Sequence, residues 1–156
     1  MQLSNDVIGV QYASSLKNVI SVLVGILKGL GFAYGTQTHG LSLLASECEK
    51  LALSLGAQKQ TFSLASQCWG NDMVMSATSD TRNHHLGVLL GEGQRFSAAV
   101  AAMKEQGKTA ESAHTLQVLP QIAPQNYPLL AFLAALAKEK VMAHQVIKII
   151  EQTNQL

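Results

Sequence analysis

Charge is scarce in this 156-residue chain: 11 Lys and Arg stand against 10 Asp and Glu, only 13% of residues are charged, and the formal net charge is +1. So weak a field gives no reason to expect nucleic acid or an anionic membrane as a partner. Residues 1–6 lack the basic start and apolar middle of a secretory leader, so the expected compartment is the reducing cytoplasm. Just two cysteines occur, Cys48 and Cys68, neither with a partner at metal-ligand spacing. In such a compartment they read as buried thiols rather than as a disulfide or a metal site. Alternating Val, Ile and Thr runs bounded by Asn-Gly or Asp-Gly turns are missing, which argues against a sheet. The longest apolar run, residues 19–27, is broken by Ser21 and Gly25 and falls short of the ~20 residues that a membrane span needs. It reads as a buried helix.

What is present is apolar helical spacing. Hydrophobic residues make up 47% of the chain, and a chain of this length suits one domain that buries roughly two-thirds of its unfolded surface. So apolar a composition also implies that part of the surface meets another surface, within a chain or between chains, and a homodimer is expected. The expected fold is all-α, with helices over residues 10–30, 38–55, 59–65, 71–78, 82–90, 96–103, 109–119, 128–137 and 143–152. Gly29-Leu30-Gly31 is expected to end the first helix, Gly56 the second, and Gly91-Glu92-Gly93 the fifth, before which Ser79-Asp80-Thr81 offers capping oxygens. All three prolines lie within residues 120–128, which reads as a connector, with Pro128 placed to begin a helix. No internal repeat or interdomain linker is visible.

One feature of the first helix calls for explanation: a lysine and an asparagine interrupt an otherwise small and apolar stretch, "SSLKNVISVLV". On a wheel of about 100° per residue, Lys17, Asn18, Ser21, Gly25 and Lys28 fall within roughly 60° of Ser14. The remaining positions, including Val19, Ile20, Val22, Leu23, Ile26 and Leu27, cover the rest of the circumference, so the helix is central and largely packed. Its polar stripe has two readings. Periodicity by itself favours a face turned to bulk water. The other places the stripe in a cleft, where small neighbours such as Ala13, Ser14 and Ser21 leave room for a ligand. There a partly desolvated lysine, oriented by a carboxylate, serves as a proton-transfer group.

The order "DVIGVQYASSLKNVISVLVGILKGLGF", then "GNDMVMSATSDTRNHHLGVLLGEG", then "EQGKTAESA" closely resembles the C-terminal domain of NAD(P)-dependent glycerol-3-phosphate dehydrogenase, over nearly the whole chain. The resemblance implies a multi-helix domain around a central buried helix, like the C-terminal domain of 6-phosphogluconate dehydrogenase. It further implies an oxidoreductase that interconverts dihydroxyacetone phosphate and sn-glycerol 3-phosphate in phospholipid-precursor metabolism. NAD or NADP would be bound mainly by an N-terminal Rossmann domain. Here no Gly-x-Gly-x-x-Gly follows a strand-like segment, so residues 1–156 are expected to form a single substrate-binding domain without that cofactor cradle, inactive alone.

On this resemblance Lys17 is the catalytic acid and base, and Asp72 is the carboxylate that keeps it charged and aimed; Asp72 would equally suit the start of a helix. Asn18 and Ser76 are expected on the same polar face as substrate contacts, though Asn18 would also serve as a supporting amide. Thr81, Arg82 and Asn83 match the segment that holds the substrate phosphate, at a predicted helix start where backbone N–H groups favour an anion. Arg82 adds a planar fork suited to phosphate oxygens and is counted with Lys104 and Gln106 among residues facing the cofactor. His84 and His85 lack a third ligand at suitable spacing, and no metal is expected. Two departures from the family pattern stand out: Ala33-Tyr34-Gly35-Thr36-Gln37 follows "GLGF", and Leu43 occupies a position where arginine is frequent. They leave an alternative open, a non-catalytic helical dimerisation module derived from a dehydrogenase.

Overall fold

A computed structural model describes residues 4–122 and 126–153, and all its regular structure is helical. Helix α1 spans Val7–Gly29. Asp6 starts it: one carboxylate oxygen accepts from the Gly9 N–H at 2.9 Å, and the other accepts from Gln58 N–H at 2.8 Å and Thr61 Oγ1 at 2.6 Å. The same side chain thus caps the helix and ties it to the 3₁₀ turn Lys59–Phe62. Gly31, at φ +81°, supplies the left-handed residue that ends α1.

Every residue from 19 to 27 is buried, because α2 (Tyr34–Ser54), α3 (Asp72–Thr78), α4 (Arg82–Gly91) and α6 (Ser112–Ile122) all pack around α1. By length and composition alone α1 could cross a membrane; its apolar circumference is instead occupied by these neighbours. The most extensive contact is with α4. A Cβ at Gly25 would lie 2.2 Å from the His84 carbonyl oxygen, and one at Gly87 would lie 2.1 Å from that of Val22. Gly29 and Gly91 repeat the arrangement one turn later. Two four-residue glycine steps therefore face each other, and the helix backbones touch without intervening side chains.

Around this centre lie α5 (Phe96–Glu105), α7 (Pro128–Ala137) and α8 (Val146–Thr153). The buried Glu47 of α2 reaches the start of α7, where its carboxylate accepts from the N–H groups of Leu129 at 3.1 Å and Leu130 at 3.0 Å. Pro128 opens that helix as expected, having no N–H to satisfy. Before α3 comes a π turn, Gln67–Asn71, held inward by Trp69, whose ring packs on Phe62 with centroids 4.8 Å apart.

Several expectations need correction. Residues 59–65 form no α-helix, only the short 3₁₀ turn. The second helix begins at Tyr34, four residues before the expected 38. The connector at 120–128 is shorter than expected, since α6 continues through Pro120 to Ile122; a proline in a last turn removes one donor without preventing the helix from reaching it. Residues 123–125 lie outside the described residues. The glycine stops fall as expected, α1 closing at Gly29 and α4 at Gly91, with Gly31, Gly56 and Gly93, all at positive φ, just past the helix ends; Gly29 and Gly91 are contact residues as well.

Candidate active site

Lys17 and Asn18 stand on α1 where its polar stripe leaves the core, both half-buried. Across from them, the π turn delivers Asp72 as the first residue of α3. The Lys17 Nζ donates to Asp72 Oδ2 at 2.6 Å, with the two side chains 18% and 31% exposed. This is a charge-assisted contact, slightly shorter than the usual range of about 2.7–2.9 Å, between side chains that are sheltered but not closed off from solvent. It joins residues 55 positions apart.

One turn further along α1, about 6 Å by helix rise, the buried Ser21 hydroxyl donates to the Ser76 carbonyl at 2.7 Å and lies 3.1 Å from Thr81 Oγ1. Thr81 caps α4, its hydroxyl accepting from the His84 N–H at 3.2 Å. The polar stripe is therefore split: Lys17 and Asn18 face partly outward, whereas Ser21 and Gly25 are covered by α3 and α4. Ser21 couples Lys17's helix to the turn that carries Arg82.

Arg82 projects from the first turn of α4 with a side chain 56% exposed, and its Nη2 donates to Glu111 Oε1. Asn83 turns inward and is buried; its amide is taken up by Glu111 and Ser112. Ser76 is also buried. Lys104 and Gln106 lie exposed at the C-terminal end of α5, where Gln106 is the capping residue. Lys104 lines an open hollow of about 600 Å³ with Phe96, Gln117 and Glu139. A larger hollow of about 750 Å³ runs beside the start of α1, between Val10 and the segment bearing Thr61, Ser66 and Cys68. Neither is lined by Lys17, Asp72 or Arg82. Among the described residues, no three His, Cys, Asp or Glu side chains are grouped as metal ligands would be.

Thus the fold brings Lys17 to Asp72 and sets Thr81 against Ser21, one helical turn along α1, while Arg82 and Asn83 turn to Glu111 and Ser112. Lys104 and Gln106 stand on a separate element. Sequence reasoning missed Glu111, although it lies inside "EQGKTAESA"; the available signal was an acidic residue just before a helix start. It also missed the facing glycine steps, whose four-residue spacing in both α1 and α4 was visible.

Comparison with known proteins establishes the family and the fold. A family profile described as NAD-dependent glycerol-3-phosphate dehydrogenase C-terminus matches residues 6–148. A glycerol-3-phosphate dehydrogenase [NAD(P)+] of Geobacter sulfurreducens is 38% identical over 117 residues, covering 72% of this chain and 34% of that protein. One from Pseudomonas putida is 33% identical over 148 residues, covering 93% of this chain and 42% of that protein. The chain thus spans well under half the length of these curated relatives. The crystal structure of a glycerol-3-phosphate dehydrogenase from Coxiella burnetii superposes with a TM-score of 0.82 at 22% identity, over 98% of this chain and 46% of that one. A yeast glycerol-3-phosphate dehydrogenase gives 0.80 at 16% identity, which shows the shared fold. The chain belongs to the family of C-terminal domains of NAD-dependent glycerol-3-phosphate dehydrogenases.

Proposed function

We propose that this chain is the substrate-binding and proton-transfer part of an enzyme that interconverts dihydroxyacetone phosphate and sn-glycerol 3-phosphate. The observation that carries this reading is the 2.6 Å contact between Lys17 and Asp72, sheltered on a helix otherwise given over to the core. In the reductive direction the Lys17 ammonium donates its proton to the carbonyl oxygen as negative charge develops there. In the oxidative direction the neutral amine takes the hydroxyl proton. Asp72 accepts a hydrogen bond from Nζ throughout, fixing the direction in which the amine points. Arg82 binds the phosphate at the start of α4, where unpaired N–H groups add to its attraction. Thr81 and Asn83 act mainly by shaping that turn, since their polar atoms are taken up within the fold.

The nicotinamide, when bound, supplies or accepts the hydride. The described residues contain no strand and so no strand-to-helix phosphate cradle. What they fit is a subsidiary contact from exposed Arg82, Lys104 and Gln106, with the principal site on an N-terminal Rossmann domain. Exposed Val7, Ile8, Leu64, Val74 and Met75 are apolar surface available to such a domain or to a second copy of the chain. On this reading the chain alone does not turn over.

Joined to its dinucleotide-binding domain, the enzyme is expected to lose about 10²- to 10⁴-fold in kcat with Lys17→Ala, the usual share of general acid–base catalysis. Steady-state reduction of dihydroxyacetone phosphate measures it, and a loss under tenfold removes the acid from the mechanism. If the joined protein is a dimer without activity even before mutation, the alternative of a structural dimerisation module is the better description.

A further inference from the structure

Glu111 touches two residues of the proposed phosphate turn and holds them differently. Its Oε1 accepts from the exposed Arg82 Nη2, and its Oε2 accepts from Asn83 Nδ2 at 3.1 Å. Asn83 is itself fixed, because its Oδ1 accepts from the Ser112 N–H at 3.0 Å and the Ser112 Oγ at 2.7 Å, all within the buried α4–α6 contact. We propose that Glu111 is a positioning residue for the anion grip: braced on Asn83, it holds the Arg82 guanidinium by one terminal nitrogen and leaves the rest of the fork free for a phosphomonoester. This rests on the reading of Arg82 as the phosphate contact.

The opposite role, an internal anion that occupies the site and must leave when phosphate arrives, fits the geometry less well. A competitor needs freedom to move away, whereas Glu111 cannot swing out without stripping an acceptor from the buried Asn83 amide. Arginine has five N–H donors in a planar fork, and Glu111 engages it through Nη2. Burial pushes the Glu111 carboxyl upward, but hydrogen bonds from its own N–H and from Asn83, with the charge of Arg82, bring it below the ordinary value, so it stays ionised at neutral pH. Its repulsion of a bound phosphate is weak, since both side chains of the pair are half exposed and screened by water. Restricting a long, freely rotating side chain before the ligand arrives is the larger effect.

The test titrates the 156-residue chain with inorganic phosphate and with glycerol 3-phosphate, following backbone amide shifts by NMR. Glu111→Gln is expected to weaken phosphate binding about three- to tenfold, the usual range for ordering one flexible side chain. In an Arg82→Ala background, the same substitution is expected to do nothing further, because it acts through the arginine. Equal weakening in both backgrounds would mark a merely structural residue and overturn the proposal. Unchanged or tighter binding by Glu111→Gln, with Arg82→Ala still weakening, overturns the positioning role while leaving the phosphate reading intact. Should Arg82→Ala itself bind phosphate like the parent, the phosphate reading fails first. Thermal melts accompany each variant. If Glu111→Gln proves unfolded, Glu111→Asp, which keeps the charge but cannot span both partners, is expected to give the same pattern, and full affinity in that variant overturns the proposal.

Discussion

His84 has the one buried side-chain nitrogen lacking a hydrogen-bond partner among the described residues, Nδ1. It follows Asn83 directly, and its own carbonyl lies against Gly25, so it sits where α4 meets α1. Desolvation lowers its pKa, helped by Lys28 of α1 and by His85, while Asp80 of the preceding loop pulls the other way. The sign of the pH dependence follows. A histidine whose folded pKa is depressed is neutral in the fold when it would already be protonated in the unfolded chain. Its contribution is therefore complete above about pH 6.5 and declines as pH falls below that value toward the folded pKa. Urea unfolding at a series of pH values should show stability falling as pH drops below about 6.5, and His84→Leu should flatten that slope. Equal slopes would mean that the imidazole does not titrate differently in the fold. Lys17 is visible in the sequence as a break in an apolar helix, but periodicity leaves its role open, and Asp72 and Arg82 stand out only through the resemblance to the family. Glu111 is less visible still: its importance depends on Asn83 turning inward, and a sequence does not display that choice.

Some helix ends are legible, since the Thr81 hydroxyl, Pro128 and the positive-φ glycines act locally, whereas the start of α2 and the end of α6 are not. Contacts between helices are not local, which explains why reading along the chain finds Gly29 and Gly91 at helix ends but misses their contact with the facing helix. Substitution at the α1–α4 crossing separates the two meanings. Gly87→Ala pushes a Cβ onto the Val22 carbonyl of a rigid helix and is expected to cost about 1–3 kcal/mol in chemical denaturation, as overpacking does. Gly35→Ala in α2 meets nothing within 4 Å and should be neutral, or stabilising by up to about 1 kcal/mol. If both behaved alike, the glycines would matter for flexibility rather than contact. The start of α7 is a comparable case. Glu47→Ala leaves the Leu129 and Leu130 N–H groups without their acceptor and should destabilise by about 1–3 kcal/mol, measured the same way. The residue is invisible to helix-by-helix reading because the helix it caps begins more than 80 positions later.

For the molecule as a whole, the perturbed carboxyls set the acid limb of stability. Asp6 is held below its ordinary value chiefly by the Thr61 hydroxyl, and Glu139 by that of Ser97. Glu111 lies below its ordinary value as well, its hydrogen bonds and Arg82 outweighing burial. Groups lowered in this way stabilise above their unfolded pKa and lose that contribution as pH falls through the folded one. Glu47 opposes them: burial raises its pKa, so its contribution is largest when protonated and shrinks as pH rises through the folded value. With three groups against one, thermal midpoints should climb from about pH 3 to pH 5, and Glu47→Gln should steepen that climb by removing the opposing carboxyl. The all-α class and the central helix can be read from the chain because apolar spacing records burial directly. The meeting of α1, α3 and α4 at one polar patch cannot, since it depends on how closely the helices approach.

That approach has a consequence for what can vary. Where two helices rest on each other's main chain at Gly25 and Gly87, no side chain is interposed that could change rotamer and let them slide. The backbones that carry Lys17 and Arg82 are thus parts of one stiff frame, and only their side chains are left to move. On the proposed function, a ligand of different length would then have to be met by those side chains, because the helices beneath them have no room to slide.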